Sequence, residues 1–211
     1  MKRIPVITAA TVALLLAVGA CGGSGGPRSA VGSNSNPPTS PTPTTAAGVD
    51  PNAPEVNSAG DIPDDQVFVA YTPPSGGYGV RVPEGWARSE TDGTVVFTDK
   101  LNSFRMESVA AARAPSTQSA EQEEVPAIRA ASRDFEPGNV SEVTRKAGKA
   151  ILITYRADGA PDPVTAKVLH LDVERYELWR GGTQVTLTLS GPQGADNVDP
   201  WRIVTDSFQW R

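Results

Sequence analysis

All 13 aromatic residues of this 211-residue chain lie between Phe68 and Trp210, and the first 65 residues contain none. Each buried aromatic ring removes about 150–250 Å² from water, so a stretch without any has little with which to build a core. Residues 22–65 deepen the contrast: 29 of these 44 are Gly, Pro, Ser, Thr or Asn. Such a segment cannot offset the entropy of ordering and is expected to be a disordered linker. The composition therefore predicts a linker over 21–65 and one folded domain over 66–211.

The N-terminus has its own pattern. Met1-Lys2-Arg3 precedes an uncharged stretch from Ile4 to Ala20, and Gly19-Ala20 leads into Cys21, the only cysteine. A basic start, a short apolar run and small residues before a cut predict a secretory signal peptide over 1–20. Seventeen uncharged residues that include Pro5, Thr8 and Thr11 fall short of the roughly 20 apolar residues of a transmembrane helix. Val18-Gly19-Ala20-Cys21 resembles the bacterial lipobox, in which the cysteine thiol is acylated and becomes the new N-terminus. Cys21 is the expected lipidation site, and the chain is expected at the extracytoplasmic face of the cell membrane, held by acyl chains such as palmitate. The linker string Gly22-Gly23-Ser24-Gly25-Gly26 matches the hydrolase G-x-S-x-G pattern literally, but it lacks the strand-to-helix turn that pattern requires.

Charge and rare residues exclude several classes. Nineteen basic against 24 acidic residues give a net charge of −5, which offers no basic field for nucleic acid. One Cys and one His exclude an internal disulfide and the His pairs of most zinc enzymes. His170 shows no sequence neighbour able to act as nucleophile or metal partner, so it reads as a surface or half-buried histidine. Asp158 and Asp162 read as a solvated turn, and Glu121, Glu123 and Glu124 as acids at a helix start. No catalytic residue, metal site or cofactor is expected.

Within the domain, Tyr78, Val80 and Val82 alternate, Thr94–Thr98 and Phe104–Glu107 follow across short turns, and 78–110 reads as one antiparallel meander. Val125, Ile128, Ser132 and Phe135 share a helical face, predicting a helix over 119–135 that Pro137-Gly138 ends; Ser119 with Gln122 forms a possible capping box, and Pro126 then requires either a kink or a start near Glu124. Two strands around Gly148 follow. Thr165–Arg180 reads as a strand whose alternation changes phase near Glu174, suggesting a bulge or a strand break. Gly181-Gly182 turns it into Val185–Leu189, with Leu178 opposite Val185 and Tyr176 opposite Leu187. Asp199 and Pro200 open a last helix with Trp201, Val204 and Phe208 inward. The sum is an α+β domain, an antiparallel sheet of six to eight strands packed with two helices.

Tyr78-Gly-Val-Arg-Val-Pro-Glu-Gly-Trp86, the meander, the middle helix, the terminal hairpin and the Trp201…Phe208 segment together resemble the PsbP-like fold, most closely in actinobacterial lipoproteins of the LpqN/LpqT type. The resemblance implies a non-enzymatic docking or assembly module with an envelope protein as partner, and it carries over no site residues. A carrier of an apolar small molecule or lipid is the alternative, and an envelope hydrolase the third class. Trp179 is the expected interaction residue: the hairpin register sets it opposite Gln184 on a face shared with Arg175, Glu177, Thr186 and Thr188, away from Tyr176 and Leu178. Packing beneath the middle helix or a loop is the competing role for the same side chain.

Overall fold

The computed structural model describes residues 59–162 and 164–211. The chain divides into two units, Met1–Asp50 and Pro51–Arg211, and the described residues belong to the second. The signal peptide, Cys21 and most of the linker lie outside the described residues.

Among the described residues ten strands form two antiparallel sheets. The smaller has the order β1-β2-β10, from Phe68–Tyr71, Tyr78–Pro83 and Gln209–Trp210. The larger has seven strands in the order β3-β4-β5-β9-β8-β7-β6, built from Ala87–Thr91, Thr94–Asp99, Asn102–Ala110, Thr183–Pro192, His170–Arg180, Gly148–Asp158 and Arg133–Arg145. This is the α+β architecture expected. The meander read over 78–110, however, belongs to both sheets. β2 pairs with β1 and β10, while β3 to β5 continue the large sheet. Gly85, at φ 83°, turns the chain between them in a backbone region that side chains avoid.

One face of the large sheet carries Phe97, Phe104, Met106, Leu187, Leu189 and Tyr176, and these pack with Tyr78, Val80 and Val82 of the small sheet and with Trp201, Val204 and Phe208. Strict alternation along β9 puts Val185, Leu187 and Leu189 into this core. The expected hairpin register holds, with Leu178 opposite Val185 and Tyr176 opposite Leu187. Gly181 and Gly182, at φ 57° and 89°, supply the positive φ pair of a two-residue turn.

β8 contains no bulge, because its register with β9 runs unbroken from Leu171 to Arg180. The apparent change of phase has another cause: both faces of the strand are covered, with Tyr176 and Leu178 in the main core and Val173 and Glu177 buried on the opposite side.

That opposite face is covered by the helical run 117–131, made of α1 (Thr117–Ser119), a π-helical turn (Ala120–Glu124) and α2 (Val125–Ala131). Ala120 is buried against Ile151 and Ile153. The run starts and stops earlier than the sequence predicts. Ser116 is the cap, in a reciprocal box with Ser119, and Phe135, Pro137 and Gly138 belong to β6, where the register with β7 shifts twice. Pro126 has no amide to give to the ladder, and it follows directly on the wide turn closed by the Val125 amide on the Ala120 carbonyl.

α3 spans Val198–Asp206, with Asn197, not Asp199, at its N-cap. The Asn197 side chain makes no capping bond because it is used elsewhere. Its Oδ1 accepts from the Ile62 amide at 2.8 Å, and its Nδ2 donates to the Gly60 carbonyl at 3.1 Å and to Asn102 Oδ1 at 3.0 Å. Gly191 permits this: a Cβ there would lie 2.5 Å from Asn102 Oδ1 and 2.7 Å from Asn197 Nδ2. Ile62 itself is buried at 5% exposure. The packed chain begins ahead of the boundary expected at residue 66: the Ile62 amide bonds Asn197, the Gly60 carbonyl accepts from Asn102 and Asn197, and a lone isoleucine carries no aromatic signal.

Candidate functional site

Strands β7 and β8 run on past the small sheet, and their residues change character at that point. On the face that carries Leu152 and Tyr176 the next positions are Thr154, Arg156 and Asp158 on β7, and Glu174, Asp172 and His170 on β8, paired in that order. A cleft of about 430 Å³ opens here, with Trp201, Val198 and Pro192 on one wall and Arg156, Asp172 and Glu174 on the other.

Arg156 organises the charged wall. Its Nε donates to Asp172 Oδ1 at 2.8 Å, and its guanidinium lies 3.8 Å from Glu136. Asp172 Oδ2 also accepts from the Gly194 amide at 3.0 Å. Burial pushes the Asp172 carboxyl up, but the Arg156 hydrogen bond, the Gly194 amide and the Arg156 charge together hold it below the ordinary range. The Arg156 guanidinium is correspondingly raised by its bond to Asp172. Further along the strands His170 lies beside Asp158 and Asp134. The sequence shows no partner for His170, since Asp158 is brought to it by strand pairing and Asp134 by the irregular start of β6. Asp162 is a self-contained turn that accepts from the Val164 and Thr165 amides and the Thr165 hydroxyl, which lower its carboxyl pKa.

A second charged group sits on the other face of the sheet. Arg175 of β8 lies 3.1 Å from Glu124, 3.3 Å from Glu107 and 3.4 Å from Glu177. Glu177 is 1% exposed. Burial raises its carboxyl to about 7, the Glu124 charge adds to the shift, and Arg175 opposes it. Such a group has the protonation range of a general acid or base, but it lies under the helical run and lines none of the clefts described. Its chemistry is structural: one guanidinium faces three carboxylates, and the most buried has its carboxyl pKa raised. Glu124 is thus more than an acid at a helix start.

Trp179 stands where the register places it, opposite Gln184, which in turn faces Val109 of β5. The indole is half-buried, and its Nε1 donates to the Ala111 carbonyl at 2.9 Å. Val109 is 53% exposed, so the row Trp179–Gln184–Val109 presents apolar surface at the hairpin end of the sheet. Cys21 lies outside the described residues, and among them no helix is long and apolar enough to cross a membrane. Sequence reasoning missed both arginine-centred groups, whose only trace was charge alternating with apolar residues along β7 and β8.

No protein-family model and no curated protein matches the chain. Solved structures do. Cyanobacterial PsbP from Synechocystis sp. PCC 6803 aligns with a TM-score of 0.50 at 17% identity, over 74% of this chain and 99% of that one. A crystal structure from Bacteroides thetaiotaomicron VPI-5482 aligns with a TM-score of 0.46 at 12% identity over 67% of this chain, which spans about half, 48%, of that protein. LpqN of Mycobacterium tuberculosis, described as involved in cell envelope biogenesis, gives 0.37 at 13% identity over 69% of this chain and 85% of its own. At these identities the likeness to PsbP establishes the fold and nothing finer: the domain is α+β with a PsbP-like architecture.

Proposed function

We propose that this protein is a membrane-anchored extracytoplasmic lipoprotein that acts as a non-enzymatic docking or assembly module in the cell envelope. The anchor is the acylated Cys21, which follows the signal peptide and precedes the Gly/Pro/Ser/Thr-rich segment. The observation that carries the docking role is the interior. Met106, Val185 and Leu187 are at 0% exposure in a continuous core, and the clefts of about 430 and 490 Å³ lie at the margins of that core, not within it. A carrier needs room for an apolar ligand between its layers; here side chains fill that space. Trp179 and Val109 are the proposed contact row.

The test combines crosslinking of the native lipoprotein in envelopes with extraction of co-purifying lipid. A discrete crosslinked partner that is lost on Val109→Asp and Trp179→Ala, with a cooperative melting transition retained, supports docking. One apolar molecule per chain, retained by both variants, replaces this reading with the carrier. Retention of Cys21→Ala in the membrane after a high-salt wash overturns the anchor.

A further inference from the structure

The geometry points to a divalent transition-metal site formed by His170, Asp158 and Asp134. Strand pairing sets Asp158 of β7 directly opposite His170 of β8, and Asp134 arrives from the start of β6. His170 Nδ1 lies 2.7 Å from Asp158 Oδ1 and 4.0 Å from Asp134 Oδ2, and the three donor atoms fall within 4.8 Å of one another.

Two further features separate this group from an ordinary acidic surface. Asp158 Oδ1 is buried and has no hydrogen-bond donor, although the imidazole nitrogen is so near. The imidazole nitrogen and the carboxylate oxygen approach to 2.7 Å without a hydrogen bond between them, and an Asp134 oxygen lies within 4.8 Å of both. Among the described residues no Lys or Arg lies within ion-pair distance of either Asp134 or Asp158, and the nearby Arg156 is paired with Asp172 and Glu136. A doubly charged cation meets both needs: it gives the orphaned oxygen a partner, and it balances two carboxylates.

With Zn–N and Zn–O bonds of about 2.0–2.2 Å, two ligands of a tetrahedral zinc lie roughly 3.3–3.6 Å apart, so on binding the 2.7 Å His170–Asp158 contact opens and the 4.0 Å His170–Asp134 contact closes. The Asp134 and His170 side chains are 70% and 63% exposed and free to make both adjustments. An imidazole with two carboxylates favours zinc and its first-row neighbours over calcium or magnesium, which take oxygen ligands. Three protein donors leave a coordination position facing solvent. The bound ion would pin the ends of β6, β7 and β8 together beside the cleft.

His170 is the chain's only histidine, which makes the test direct. The full chain is purified without a histidine tag, in a Cys21→Ala background, stripped with chelator and titrated with Zn²⁺ by calorimetry and by imidazole ¹⁵N NMR. One ion per chain is expected, with the NMR shift at Nδ1. His170→Ala and Asp158→Asn should each weaken binding roughly tenfold or more, and Asp134→Asn less. His170→Gln replaces His170→Ala if the latter lowers the melting temperature. Binding that survives the His170 variants, an imidazole signal unmoved by Zn²⁺, or a shift at Nε2 alone overturns the site.

Discussion

Arg175 of β8 holds Glu124 of the helical run at 3.1 Å, across the layer between sheet and helix. Glu124 is the last residue of the π-helical turn, immediately before Val125 and Pro126. The wide turn therefore presents a carboxylate to the sheet where the proline weakens the backbone ladder. The same guanidinium also faces Glu107 and the buried Glu177, so one cation secures a helix that has few buried residues of its own.

Removing that cation is expected to cost more than removing any one carboxylate. Arg175→Ala leaves Glu107, Glu124 and the buried Glu177 together without their cation and should lose about 3 kcal/mol. Glu124→Gln keeps a hydrogen-bonding group at a half-exposed site and should lose about 1 kcal/mol. Urea denaturation measures both. Amide exchange should accelerate over 117–131 in the Glu124 variant while β9 stays protected.

Glu177 gives stability a pH dependence of defined sign. Its carboxyl titrates near 4.5 in an unfolded chain and at about 7 in the fold, so folding takes up a proton between those values. Stability should fall as pH rises through that window, by up to about 3 kcal/mol. Asp172 acts oppositely: its lowered carboxyl contributes stability above about pH 3.8 that is lost on further acidification. These two groups together place the wild-type optimum at about pH 4, between the two unfolded values. Glu177→Gln should flatten the curve between pH 5 and 8, and an unchanged slope would show that Glu177 does not titrate there.

The N-terminal limit of the domain is open to truncation. A chain spanning 51–211 should melt as the full chain does. One starting at Gln66 loses Ile62 from the core and two bonds from Asn197, and leaves Asn102 without the Gly60 carbonyl. Ile62→Ala alone should cost about 2–4 kcal/mol. Equal melting temperatures for the two truncated chains would place the boundary at Gln66 after all.

Trp179→Ala separates contact from packing. A fully buried tryptophan costs about 3–5 kcal/mol on truncation, and this half-buried one should cost about 2. Trp179→Phe should lose about 1 kcal/mol, the share of the bond to the Ala111 carbonyl. A collapsed melting transition in Trp179→Ala would assign the side chain to packing and remove it from the proposed contact row.

What the sequence determined by itself was local. Alternation along β9, the Gly181-Gly182 turn and the inward set Trp201, Val204 and Phe208 depend on side-chain period and backbone conformation, and these are written residue by residue. The division into two sheets was not legible, because β2 alternates in the same way whichever strand it pairs with. Phe135 kept helical spacing with Ile128, yet it lies in β6, where its ring packs at a tilt of 31° against Tyr155, 5.5 Å between centroids. Tertiary pairing overrode the local period. The charged groups were decided by the fold alone: Glu107, Glu124 and Arg175 are 68 positions apart at the extremes, and Asp158 meets His170 only because two strands pair in one register. Periodicity reports which face a residue occupies; which other residue faces it depends on topology, and that exists only once the chain has folded.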